Sequence, residues 1–167
     1  WPSLRSANTI GISLMEAREC YLAHPHLKTN PIWEAQVWLQ VAKISGKEED
    51  LHTARQKANE IDRINNNVEA LLSWCRIAEV SGDAKDINLV EKEVEKYRDS
   101  SSVDARNQLF YSLARVYLLH DIASAQDAIA NITDEDLELR AEMQCSMVEA
   151  LAKKGCFNAA EELADTI

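Results

Sequence analysis

The chain has 167 residues, 18 basic and 28 acidic, for a formal net charge of −10, with only four glycines and three prolines. That length suits one domain with a sizeable core, and so few turn-formers exclude an all-β fold with many tight turns. The acidic balance works against nucleic-acid binding, which rests on neutralising phosphates with Lys and Arg, and no apolar run approaches the roughly 18 residues of a membrane span.

The charge is unevenly placed. Residues 1–65 hold 8 basic and 8 acidic side chains, whereas residues 66–167 hold 10 basic and 20 acidic, so the whole excess lies in the second part. A solvated surface explains such an excess. The sharper reading is an acidic face for a basic partner.

Taken in chain order, residues 1–11 have no regular pattern. The opening Trp1-Pro2-Ser3 lacks an initiator Met and a charged-then-apolar leader, which reads as a processed or excised fragment. A partial repeat with a helix near 12–23 follows, and 24–30 is a connector. Asn30-Pro31 then supplies a cap and a proline at the first helical position, where the missing N–H costs nothing. Helices are predicted near 31–45, 48–62, 67–81, 84–98, 103–119, 122–131, 134–154 and 157–167. Asn66-Asn67, Ser101-Ser102 and Thr133 mark further starts, each followed by acidic residues that suit the positive helix end. On the second helices, Leu51, Ala54, Ala58 and Ile61 step by three, four and three, as do Ile87, Val90, Val94 and Tyr97. Val68, Leu71, Cys75 and Ala78 form the same stripe on a first helix, and Ala125, Ala128 and Ile132 a shorter one.

The glycines bind these elements into a register. Gly11, Gly46, Gly82 and Gly155 are 35, 36 and 73 residues apart, the last gap being close to two periods. A period near 35 made of two helices and a tight turn marks a helical repeat array. Its physical cause is the left-handed residue that ends many helices, a conformation glycine adopts without a β-carbon penalty. The missing stop falls near residues 118–120, where either His120 takes the left-handed role or the turn is built differently.

The segment Met143–Ala164, with Gly155 followed five residues on by Ala160, resembles the tetratricopeptide-repeat (TPR) family. The same offset carries Leu51, Ile87 and Ala125. The resemblance covers about residues 31–167 and is degenerate. The family's early Trp, Leu-Gly pair and Tyr are mostly absent, and Trp38 and Trp74 stand where it usually has Leu. It implies an all-α, right-handed solenoid of about four antiparallel helix pairs in one domain. The apolar stripe Ala160, Leu163, Ile167 runs to the last residue, which suits a piece of a longer array or end-to-end self-association. Pentatricopeptide repeats share the period but read RNA from a basic groove, which this acidic chain lacks. The Lys and Asn clamp of chaperone-type members is not matched at the corresponding positions.

In such a superhelix the first helix of each pair lines the concave face, and positions one repeat apart form rows. The rows expected here are Gln36, Leu72, Phe110, Cys145; then Gln40, Arg76, Ala114, Glu149; then Lys43, Glu79, Tyr117, Ala152. Phe110 and Tyr117 would offer an aromatic pair, and Gln36, Gln40, Lys43, Arg76, Glu79 and Glu149 the polar surround, for a peptide or helix. The alternative for Phe110, Leu72 and Cys145 is packing between helices.

Catalytic chemistry finds no foothold. No two glycines lie close enough for a phosphate loop or a Gly-x-Ser-x-Gly elbow. His24-Pro25-His26 lacks a third ligand at metal-site spacing, and Asp134-Glu135-Asp136 reads as first-turn electrostatics. Neither a metal nor a cofactor is expected. Cys20, Cys75, Cys145 and Cys156 form no Cys-x-x-Cys, and Cys75 and Cys145 fall among apolar helical positions. Reduced structural thiols in a reducing, cytoplasmic compartment follow. Asn131-Ile132-Thr133 fits a glycosylation acceptor and is read as a chance match at a helix cap. The expected function is a non-enzymatic protein-interaction scaffold or adaptor, with a curvature-changing sensor of a signalling peptide as the alternative.

Overall fold

The structure is a computed structural model, and it describes residues 30–61, 67–118, 120–133 and 136–165. Among these residues there are eight helices and no strand: α1 (Pro31–Ser45), α2 (Glu48–Asn59), α3 (Asn67–Ser81), α4 (Ala84–Glu95), α5 (Val103–Leu118), α6 (Ile122–Ala130), α7 (Leu137–Lys153) and α8 (Phe157–Ala164). The protein is therefore all-α. The helix expected near 12–23, the connector with His24 and His26, and the terminal Ile167 lie outside the described residues. Two compact units emerge, Trp1–Asp62 and Arg63–Ile167.

In the first unit, α1 starts where its cap dictates. The Ile32 N–H donates to Asn30 Oδ1 at 3.0 Å, and Pro31 occupies the first turn. The helix ends on Gly46 at φ 63°, whose N–H donates to the Ala42 carbonyl at 2.9 Å. Packing of α1 on α2 buries Ala35, Leu39 and Ala42 with Leu51, Ala54, Ala58 and Ile61. Glu34 is buried in this hairpin and is answered by Lys57, whose Nζ lies 2.8 Å from its carboxylate. A buried carboxylate needs such a partner. Hydrogen bonds to Glu34 and then Glu60 raise the Lys57 ammonium above its ordinary range.

In the second unit, α3 packs on α4 and α5, α5 on α4, α6 and α7, and α7 on α6 and α8. The first helices α3, α5 and α7 thus lie side by side, each with its hairpin partner. Ile77, Val90, Val94, Leu109, Phe110 and Val116 are almost completely buried. Each such side chain contributes roughly 1.5–3 kcal/mol relative to exposure. Arg98, just after α4, places its guanidinium 5.7 Å from the centre of the Phe110 ring and donates to Asn131 Oδ1 at 2.6 Å.

The hairpin turns repeat a chemistry. Ser45 Oγ donates to Asp50 at 2.6 Å and accepts from the Lys47 N–H at 3.1 Å. Ser81 Oγ donates to Asp86 at 2.8 Å and accepts from the Asp83 N–H at 3.1 Å. Each serine precedes a glycine in the left-handed region, Gly82 having φ 61°. The α5–α6 turn is built differently. Among the described residues only Gly46, Gly82 and Gly155 have positive φ, so His120 does not take the left-handed role. Instead the His120 and Asp121 N–H groups both donate to the Tyr117 carbonyl, at 2.9 and 2.8 Å, and Asp121 caps α6 through the Ala123 N–H at 3.0 Å.

Some helix ends differ from expectation. The first of these is α2, which stops at Asn59 and not near 62, and α4 stops at Glu95 and not near 98, each giving way to a tight turn. Helix α7 is capped by Asp136, which accepts from the Leu139 N–H at 3.3 Å, and not by Thr133. Thr133 is held elsewhere: Asn107, buried on α5, donates to its Oγ1 at 3.0 Å and accepts its backbone N–H at 3.1 Å. Asn131 uses both ends of its amide, accepting from Arg98 and donating to the Asp127 carbonyl at 2.8 Å.

Candidate functional site

The second unit carries an open recess of about 290 Å³, lined by Glu79, Tyr111, Arg115, Leu118, Glu142 and Ser146. It spans three helices, with Glu79 from α3, the middle three residues from α5, and Glu142 and Ser146 from α7. Helical spacing explains the grouping. Tyr111, Arg115 and Leu118 are four and three residues apart and share one side of α5, as Glu142 and Ser146 share one side of α7.

Two polar pairs cross between helices. Arg115 Nη2 donates to Glu79 Oε1 at 2.7 Å, joining α5 to α3. Tyr111 Oη donates to Glu142 Oε1 at 2.8 Å, joining α5 to α7. Ser146 Oγ donates back to the Glu142 carbonyl at 3.0 Å. The second oxygen of each carboxylate receives no hydrogen bond from a described residue.

Desolvation pulls the Arg115 guanidinium down, but the hydrogen bonds and charges of Glu79 and then Tyr111 together outweigh it, so its pKa ends above the ordinary value. It is a permanent cation. Burial first, and the Glu142 carboxylate second, push the Tyr111 phenol up, so it remains a donor at neutral pH. The charged lining sums to two carboxylates and one guanidinium, a net −1.

The sequence-predicted residues are distributed as follows. On α1, Gln36 and Gln40 are half-buried and Lys43 is exposed, beside the exposed Trp33 and Ile44. On α3, Arg76 is exposed and Glu79 lines the recess. On α7, Glu149 is exposed and lies 3.7 Å from Lys153. Phe110 and Tyr117 are 1 % and 9 % exposed, so the expected aromatic pair on an open face is absent. Ala114, from the same rows, is wholly buried. Cys145, expected at an apolar position, is exposed, as is Cys156, while Cys75 is buried; all three are free thiols.

The cause of the α5 misplacement is a phase error. The expected rows step 38 residues from Leu72 to Phe110, from Arg76 to Ala114 and from Glu79 to Tyr117. The pairing that forms, Glu79 with Arg115, steps 36. Two residues of an α-helix rotate a side chain by roughly 200°, from the open side to the core. Arg115 was findable: it precedes Leu118 by the three residues that separate Glu79 from Gly82, and Leu118 is one 36-residue step beyond that glycine. Tyr111 and Glu142 carry no comparable signal, because their contact runs diagonally between repeats, 31 residues apart.

Among the described residues no three His, Cys, Asp or Glu side chains converge as a metal site, and no helix is long and apolar enough to cross a membrane. No protein-family model, curated protein or solved structure matches the chain.

Proposed function

We propose that this chain is a non-enzymatic protein-interaction module, a TPR-like right-handed solenoid segment that docks a peptide or helix of a partner on the face formed by its first helices. The observation that supports this is the recess shared by α3, α5 and α7, whose polar groups meet in cross-helix pairs at an open surface. Exposed pairs of this kind are weakly held and can exchange for a ligand's own polar groups. An aromatic ring with flanking charges is the composition of protein-binding hot spots. The acidic excess of residues 66–167 favours a basic partner by steering its encounter.

The test is a random-sequence peptide library panned against the folded protein, with recovered peptides titrated by fluorescence anisotropy. Tyr111→Ala combined with Ser146→Arg, which puts a competing guanidinium into the recess, should weaken these peptides by about tenfold or more. Lys92→Glu, at an exposed position of α4, should leave them unchanged. Peptides indifferent to the first pair of changes would put the docking face elsewhere.

A further inference from the structure

We infer that the recess between α3, α5 and α7 is a socket for a single arginine side chain of the docked peptide. The inference rests on the interaction reading above and names the group that the face recognises.

Charge selects the ligand's sign. Glu79 and Glu142 flank the recess from two different helices, and Arg115 offsets only one of them. One further cation neutralises the lining; a carboxylate would meet two like charges and one guanidinium already paired. Hydrogen-bonding capacity points the same way. Each carboxylate has spent only its Oε1 atom, on Arg115 and on Tyr111 respectively, so the open valences that remain on these groups are acceptors. Ser146, whose hydroxyl proton is committed to the Glu142 carbonyl, adds another acceptor. Arg115 keeps further N–H donors of its own, so it is the unspent carboxylate and hydroxyl oxygens that call for a donating ligand.

Size and shape narrow the choice. A volume of about 290 Å³ is at the lower end of ligand pockets and gives room for one long side chain. Tyr111 and Leu118 supply the apolar wall, and a planar guanidinium stacks on an aromatic face while its edge stays free to hydrogen-bond. Its donors spread in a fixed fork, which lets one group address carboxylates arriving from separate helices. An ammonium is a compact, strongly hydrated point charge and makes this bridge less well.

The experiment takes library peptides whose binding is lost on combining Tyr111→Ala with Ser146→Arg and resynthesises them with each arginine changed to citrulline, or to lysine. Citrulline keeps the shape and removes the charge. One arginine in each peptide should prove essential, citrulline weakening binding by about tenfold and lysine by less. In the Glu142→Gln protein, checked for native helicity by circular dichroism, the arginine-to-citrulline difference should shrink. Face-dependent peptides that lack arginine, or that tolerate citrulline, would overturn the socket and leave the docking face standing. A difference that persists undiminished in both Glu142→Gln and Glu79→Gln would likewise overturn it. If no library peptide depends on the face at all, the interaction reading itself fails, and the socket with it.

Discussion

The two sides of α5 do opposite work with neighbouring residues. Phe110 is sealed beneath the Arg98 guanidinium, whereas Tyr111, the next residue, sends its hydroxyl across to α7 in the open recess. Ala114 is wholly buried, and Arg115 beside it is half-exposed and paired to α3. One helix thus supplies the core that holds three hairpins together and the middle strip of the face they present. The contrast teaches that in a stacked helical array a residue's role depends on phase around the helix more than on residue type. An aromatic side chain one position away changes from cement to contact.

The comparison can be broken most severely at Phe110. Phe110→Ala should cost about 3–5 kcal/mol of stability, read from the urea midpoint, because the ring is fully enclosed. A loss as small as that of an exposed residue would show that the two sides of α5 are not distinguished as described. Asn107→Ala should cost about 1–3 kcal/mol, since it removes the buried amide that holds Thr133 by side chain and backbone. Thermal melts would show this, and a normal melting temperature would mean that Thr133 finds other partners.

Gly82→Ala should cost more than Gly46→Ala, by about 1 kcal/mol. Both sit at positive φ, but a β-carbon on Gly82 would lie 3.3 Å from the His120 ring, whereas nothing lies within 4 Å of one on Gly46. Adding His120→Ala should bring the Gly82→Ala cost down to that of Gly46→Ala; no reduction would assign the whole cost to backbone strain.

Alkaline pH sharpens the contrast through a buried acid. Burial pushes the Cys75 thiol from 9.0 up to about 12. Its folded form therefore holds a proton that the unfolded form releases, and stability must fall as pH rises from about 9 toward 12. Below about 9 both states are protonated and the thiol adds no pH dependence. The change in urea midpoint between about pH 8 and about pH 10 should shrink in Cys75→Ala, and an unchanged slope would acquit the thiol. The smallest stability effect belongs to the recess. Arg115→Ala should alter stability by only about 0.5 kcal/mol, so a large destabilisation would make Arg115 a structural residue.

Much of the fold was legible because its signals are local. Asn30-Pro31 starts α1, and Gly46, Gly82 and Gly155 take the left-handed conformations their spacing implied. These are properties of a few consecutive residues, settled by backbone sterics and capping. The stripe Leu51, Ala54, Ala58 is buried for the same reason, one helix and one period, and Ile61 in the turn just beyond α2 is buried with it. The recess was less legible because it depends on phase carried across three helices. The junction without a glycine left the length of the third repeat open by two residues, enough to put Tyr117 where Arg115 stands opposite Glu79. Only Glu79 was anticipated, from the side of that junction where the glycine register still held. Thr133 shows a second limit, since a residue with every property of a helix cap was claimed by a buried asparagine 26 residues away.

The contact between Gly82 and His120 ties two positions together in heredity as well as in space. Asparagine, which tolerates the left-handed region, is an admissible replacement at position 46, where the surroundings are empty. At position 82 the same replacement meets the imidazole of the neighbouring turn. A lineage that lost this glycine would do so at lower cost where residue 120 had already been shortened or its ring had turned aside. The order in which such changes can accumulate is therefore constrained at one hairpin turn and free at its counterpart.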